Sequence, residues 1–370
     1  MTDVRIRADL AQIPGYRPGK PALVNSDRPS FKLSSNENPF TPLASVRERI
    51  ASALQEVNLY PNMGAPELVL RIAEGVGVSA DEVVVGAGSV EVVSQLIRAV
   101  ASVGDNVIFP WRSFEAYPLL VVGAGATPVR VPLLGGFRHD LEAMLARIDS
   151  RTRLVIVCSP NNPTGTTVQH EEIDAFLARV PRDVVVLIDE AYLHYNKDAG
   201  SAVGIDLYRR YPNVVLAHTF SKAYGLAGLR VGYAVAPKPL ATAMRKVALP
   251  FGVTGLAQAA ALASLDAEAE LRERIEATVA ERERMYSILG SYDLGIPRSE
   301  ANFFWIPTEE VETVDEVFAR HGVVARLFDG QGVRVSVGSR PANDATLGAL
   351  AELNQAKGQR YAPSDEKKEK

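Results

Sequence analysis

The stretch Thr219-Phe220-Ser221-Lys222-Ala223-Tyr224-Gly225-Leu226-Ala227-Gly228-Leu229-Arg230 lies between two apolar runs. Asn213-Val214-Val215-Leu216-Ala217-His218 precedes it, and Val231-Gly232-Tyr233-Ala234-Val235 follows. Each flank has the composition of a buried strand. A buried strand that empties into small hydroxyl residues, a lysine, glycines and an arginine is poor core material. It suits a site that holds a phosphate beside a reactive amine. Desolvation at a strand end lowers a lysine pKa and readies the amine for Schiff-base chemistry, although a lone lysine is usually a solvated surface group.

Working outward, the same alternation extends in both directions. Strands are expected at Glu82–Gly86, Asn106–Pro110, Ala126–Val131, Leu154–Cys158, Val184–Ile188, Val214–Ala217 and Arg230–Val235. Helical spacing occupies Pro66–Val78, Ser89–Ser102, the segment from Phe114, and Glu171–Val180. Continuous Val/Ile/Leu runs separated by helical periods predict an α/β fold, with a mostly parallel central sheet covered by helices on both faces. In such sheets ligands collect beyond the carboxyl ends of the strands.

The domain expectation is an arm at 1–32, a large α/β domain at 33–244, a smaller α+β domain at 245–357 and a disordered polar tail at 358–370. Within the smaller domain the pattern gives helices at Leu256–Asp266, Glu268–Leu289, Val314–Arg320 and Asp344–Gln355. Short strands are expected there near Asn302–Ile306, Val323–Ala325 and Gly332–Val337. Leu33 to Pro39 reads as a short strand breaking into a polar turn.

Composition narrows the function classes. The 370 residues are 47% hydrophobic and 23% charged, with a net charge of −4, so nothing points to nucleic acid or an anionic membrane as partner. The one cysteine, Cys158, excludes an intrachain disulfide and fits a cytoplasmic setting. The N-terminal residues lack the apolar stretch of a signal peptide. The five histidines show no paired ligand spacing, so no metal is expected. No Gly-x-Ser-x-Gly elbow supports a serine hydrolase.

The strand-to-helix junctions carry the chemistry. Gly86-Ala87-Gly88-Ser89-Val90-Glu91 imitates a dinucleotide fingerprint, but Glu91 replaces the third glycine and the acidic ribose ligand is missing, which argues against a nicotinamide oxidoreductase. A helix N-terminus that can receive an anion at the Ser89 and Val90 amides remains, beside the plainer reading as a tight turn. Pro110-Trp111-Arg112-Ser113-Phe114-Glu115-Ala116-Tyr117 places aromatics at a strand end, where Phe114 could lie against a flat ligand; core packing is the alternative. Asp189, ending Val184–Ile188, is either a helix cap or a buried carboxylate in need of a cation. Ser159-Pro160-Asn161-Asn162-Pro163-Thr164-Gly165 is more than a plain turn requires.

Taken in order and spacing, Ser159–Gly165, Asp189-Glu190-Ala191-Tyr192 and Thr219–Arg230 resemble a pyridoxal-phosphate-dependent aminotransferase of fold type I. More narrowly they resemble the histidinol-phosphate aminotransferase subfamily, over nearly the whole chain. The resemblance implies pyridoxal 5'-phosphate as cofactor, with Lys222 as Schiff-base lysine and proton shuttle. It implies Asp189 on the pyridine nitrogen, Asn162 and Tyr192 on the phenolic oxygen, and Phe114 stacked on the ring. It places the phosphate at Ser89, Val90, Thr219, Ser221 and Arg230, joined by Tyr60 from the neighbouring subunit of a homodimer. It assigns Arg334 and Arg326 to the substrate's anionic group, and Tyr16 and Asn38 to the substrate mouth. The segments Pro110–Tyr117 and Leu249-Pro250-Phe251-Gly252-Val253 look most like a branch acting on aromatic amino acids, phenylalanine above all, with 2-oxoglutarate in a ping-pong cycle. Asn36-Glu37-Asn38-Pro39 is shared with the histidinol-phosphate enzymes, which supply the alternative substrate. Phe40-Thr41-Pro42-Leu43 and Gly15 depart from the family pattern near that mouth. A ligand-binding protein on an inactive scaffold is disfavoured by intact Lys222, Asp189, Asn162 and Arg334.

Overall fold

A computed structural model describes residue 4 and residues 6–21 and 29–360. The rest of the expected arm (1–3, 5 and 22–28) and the tail from 361 onward lie outside the described residues. In chain order the strands are β1 (Phe31–Lys32), β2 (Val83–Gly86), β3 (Asn106–Trp111), β4 (Thr127–Pro132), β5 (Thr152–Cys158), β6 (Val185–Asp189), β7 (Val214–Thr219), β8 (Gly232–Val235), β9 (Phe303–Pro307), β10 (Val323–Val324), β11 (Arg326–Phe328) and β12 (Gly332–Ser336). Among the described residues no helix is long and apolar enough to cross a membrane.

Seven strands form the central sheet in the order β2-β8-β7-β6-β5-β3-β4. All neighbouring pairs are parallel except those of β8, which runs antiparallel to both β2 and β7. β7 is buried at every position and β5 at nearly every one, which is why both read as unbroken apolar runs. Helices cover both faces. Ser89–Val100 and Ala116–Gly123 pack one face around Val92, Leu96, Phe109, Tyr117 and Ile156. His170–Leu177 and Gly204–Arg210 pack another around Ile173, Phe176, Val155 and Leu216.

The reversal of β8 brings one more chain segment to the carboxyl edge of the sheet. Thr219, at the carboxyl end of β7, and Gly86, at the carboxyl end of β2, both pair with Gly232. The chain entering β8 therefore starts at the end where its neighbours finish. Arg230 does not extend that strand, contrary to the sequence pattern. Its backbone is left-handed (φ 55°), which ends the Thr219–Arg230 loop and delays β8 to Gly232. Such a conformation costs a non-glycine residue about 1 kcal/mol or more, a strain concentrated at functional sites.

The smaller sheet, β11-β12-β9, is antiparallel and packs with the helices Val311–Arg320 and Arg340–Arg360. Two expectations for this part are corrected. Leu33 to Asn36 do not form a strand; β1 ends at Lys32, paired in parallel with β10, and Leu33 joins the core of the smaller unit. The last helix continues through residues 358–360, so the chain is still helical where the tail was placed. The boundary at 245 is also less sharp than composition implied. Helix Gly255–Asp266 buries Ala257, Ala260 and Ala261 against Val46, Leu68 and Ile72 of the preceding unit.

Candidate active site

One cavity lies at the carboxyl edge of the central sheet, closed from above by β11 and β12. Its wall includes Lys222, Asp189, Tyr192, Asn162, Ser89, Val90 and Phe114. Thr219, Ser221, Arg230, Arg334, Arg326 and Tyr16 complete it. Residues far apart in the chain meet because β2, β3, β5, β6 and β7 all end there and β8 begins there.

Lys222 stands at the cavity wall, where Nζ donates to the Ser35 carbonyl (3.1 Å) and lies 5.8 Å from the centre of the Tyr192 ring. Burial, reinforced by Arg334 and Arg230 and opposed by Glu37, lowers its pKa to about 7. Asp189 is buried, and burial pushes its carboxyl up from the ordinary range. Its donors are the Tyr117 hydroxyl (2.6 Å) and the Ala191 amide (3.2 Å), with no cationic side chain in ion-pair range among the described residues. A carboxylate left in that condition fits a cationic ring nitrogen, which replaces the missing partner.

The phosphate end is a cradle built by close approach. At the start of the helix Ser89–Val100 the Glu91 and Val92 amides donate to the Gly88 carbonyl, while those of Ser89 and Val90 have no backbone acceptor among the described residues and are open to an anion. Gly88 has φ +81°, and a side chain there would collide with Arg230 Nη2. A side chain at Gly232 would meet the Ser89 nitrogen at 2.5 Å. Arg230 is preset by bonds to Ser221 Oγ (3.3 Å), Ala227 O (3.0 Å) and Ala87 O (3.4 Å). The Thr219 hydroxyl accepts from the Ser221 amide, and the Ser221 hydroxyl accepts from Arg230. The donor set and the close approach of the backbone here fit pyridoxal phosphate. When bound, that group supplies an electron sink for the substrate's Cα.

At the opposite end Arg334 is buried. It donates to Asn162 Oδ1 (2.5 Å) and Ser34 O (2.8 Å), while its Nε has no hydrogen-bond partner among the described residues. A buried guanidinium with an unpartnered donor in a cavity wall suits an anion. Asn161, in contrast, is structural: it ties Ser113, the Arg112 carbonyl and Thr164 together, and so leaves Asn162 to face the cavity.

Two expected residues lie elsewhere. Asn38 does not line the cavity; its Nδ2 donates to the carbonyls of Lys222 and Ala223 and steadies the loop from behind. Tyr60 is 83% exposed and packs on Phe251 (4.7 Å between ring centres). Three contributors were not singled out from sequence. Tyr117 carries the hydrogen bond to Asp189 and meets Phe114 edge-on (5.5 Å); its spacing of three from Phe114 on a helix was the available signal. Asn36 donates to the Tyr192 hydroxyl (2.9 Å), and Glu115 lines the cavity beside Arg326. Neither had a signal beyond proximity to residues already singled out.

The sequence matches the family described as aminotransferase class I and II over residues 28–348. The chain belongs to this family. It is an aminotransferase, and its cofactor is pyridoxal phosphate. It is 49% identical, over 94% of its own length and 98% of the relative's, to a protein of Cutibacterium acnes named aromatic amino acid aminotransferase. A Streptomyces coelicolor protein of the same name is 48% identical, with 96% and 99% covered. Among solved structures, histidinol-phosphate aminotransferase from Sinorhizobium meliloti, in complex with pyridoxal-5'-phosphate, superposes with a TM-score of 0.84 at 26% identity, covering 96% of this chain and 99% of that one.

The geometry of this aminotransferase sets two measurable outcomes. Because the Lys222 amine titrates near 7, covalent capture of pyridoxal phosphate by cofactor-free enzyme should accelerate as pH rises through about 7 and then level off. Stopped-flow absorbance checks this; a rate still climbing toward the ordinary lysine range contradicts it. Arg230→Ala should raise the cofactor's Kd by about 10- to 100-fold, the scale of one charge-assisted hydrogen bond. A fluorescence titration returning wild-type affinity removes Arg230 from the phosphate cradle.

Proposed function

We propose that this enzyme moves the amino group of an aromatic L-amino acid, phenylalanine above all, to 2-oxoglutarate by a ping-pong cycle. The observation that carries the reading is the combination of near-half identity to relatives named for aromatic amino acids with the charge balance of the substrate end. Arg334 and Arg326 are cross-strand partners on β12 and β11, but Arg326 Nη2 already holds Glu115 at 2.7 Å. One guanidinium is thereby left for the α-carboxylate of an amino acid, where a phosphate dianion calls for both.

In this reading Arg334 anchors the carboxylate, and Lys222 takes and returns the Cα proton, a task suited to an amine titrating near neutrality. Asp189, held by Tyr117, keeps the ring nitrogen protonated. Asn162 and Tyr192 face the ring's phenolic oxygen, and Phe114 covers its face. Tyr16 lies at the mouth.

The proposal includes a homodimer. Leu54, Val57, Leu59, Tyr60, Met63 and Phe251 are all exposed, and exposed apolar side chains grouped in this way mark surfaces that a partner covers. A second copy covering it would let Tyr60 reach the partner's phosphate cradle. A cytoplasmic setting is also proposed, supported by the single cysteine, Cys158, which is buried and free. Comparing kcat/KM for phenylalanine and histidinol phosphate tests the substrate: a clear preference for phenylalanine is expected, and preference for histidinol phosphate would falsify the reading.

A further inference from the structure

Among the described residues, Glu115 is the one acidic side chain in the wall of the cavity's substrate end, and its position is specific. Its Oε2 accepts from both Nη2 (2.7 Å) and Nε (3.3 Å) of Arg326. The third direction of that guanidinium is taken by the Pro18 carbonyl (2.9 Å), so Arg326 is held on every side. The pair is largely withdrawn from solvent, with side-chain exposures of 11% for Arg326 and 30% for Glu115. Arg326 and Arg334 stand opposite one another on adjacent antiparallel strands, and both guanidiniums sit over the Phe328 ring, at 5.7 and 5.9 Å. Of the side chains lining this end of the cavity, Arg326 and Arg334 are positive and Glu115 is negative; Arg112, over the same Phe328 ring at 5.6 Å, lies behind the lining.

We propose that Glu115 is a specificity-determining residue: by holding and neutralising Arg326 it disfavours substrates that bring a phosphate dianion to this end of the cavity. A carboxylate meets its match in Arg334, whose Nε is without a partner among the described residues. A phosphate has to draw Arg326 away from Glu115 and then lies beside that carboxylate in a partly desolvated site, which like-charge repulsion opposes. Arg326 is thus a latent phosphate ligand, kept occupied by an internal anion.

The proposal rests on the aromatic aminotransferase reading, and its test separates the two. The ratio of kcat/KM for histidinol phosphate to that for phenylalanine is measured in the wild-type holoenzyme, in Glu115→Gln, and in the double variant Glu115→Gln/Arg326→Gln. Glutamine keeps an oxygen that can accept from Arg326 while removing the charge. The ratio should rise at least about tenfold in Glu115→Gln and fall back in the double variant, since the gain runs through Arg326. A merely structural role for Glu115 moves both substrates together and leaves the ratio unchanged. A wild type that prefers phenylalanine, with a ratio unmoved in Glu115→Gln, overturns this inference alone, as does a gain that survives in the double variant. A wild type that prefers histidinol phosphate overturns the parent reading along with it.

Discussion

Replacing Lys222 with alanine is expected to remove turnover by a factor of about 10⁴ or more, the upper range for loss of a positioned acid–base group, while leaving a folded protein that still binds pyridoxal phosphate. The separation follows from the geometry. The residues proposed to hold the phosphate are Ser89, Val90, Thr219, Ser221 and Arg230, and none of the hydrogen bonds among them involves the Lys222 amine. Among the described residues the amine has a single hydrogen bond, to the Ser35 carbonyl, so its removal frees little that is buried. What is lost is a base whose pKa near 7 lets it accept and return a proton at neutral pH. Steady-state transamination with phenylalanine and 2-oxoglutarate, alongside cofactor retention on dialysis, checks both halves. Turnover within about tenfold of wild type, a loss too small for a positioned acid–base group, contradicts the assignment.

The second large effect belongs to Asp189. Asp189→Ala should lower kcat by about 10²- to 10³-fold, the scale for removing a preorganised electrostatic stabiliser from a water-poor site. Lys222 should keep its ability to take up the cofactor, because Asp189 and Lys222 share no hydrogen bond. The carboxylate sits at the end of β6, buried, with only Tyr117 and the Ala191 amide donating to it. Burial raises its pKa, so the chain alone holds it at a cost that a cationic ring nitrogen offsets. Asp189→Asn, which can still accept from Tyr117, should be impaired nearly as much, since the missing quantity is charge. Near-normal kcat in either variant removes the electron-sink role.

The central sheet was legible because β5, β6 and β7 are buried on both faces and therefore read as continuous apolar runs. The reversal of β8 was not, since Val231–Val235 looks the same in either direction. Sequence pattern also ran the strand back to Arg230, where a left-handed backbone turns the side chain into the cradle instead. Helix Ala44–Ala53 went unread because its one fully buried side chain, Val46, leaves almost no apolar stripe. At the site, Lys222 and Asp189 drew notice as polar residues following apolar strands and Arg230 as a cation near them, whereas the role expected of Asn162 came from the family resemblance alone. The partners Tyr117, Asn36 and Glu115 act through contacts across 72 to 211 positions of chain, and no local pattern encodes those. Asn38 shows the opposite error: a residue inside a motif whose side chain turns to the backbone behind the lysine.

The most direct test of the aromatic assignment is a single half-reaction. Purified enzyme loaded with pyridoxal phosphate is mixed with L-phenylalanine in the absence of any oxo acid, and the near-visible absorbance is followed while phenylpyruvate is assayed. The band should bleach as one phenylpyruvate forms per site, and 2-oxoglutarate should restore it. A band unmoved by phenylalanine, and bleached instead by histidinol phosphate, would contradict the assignment.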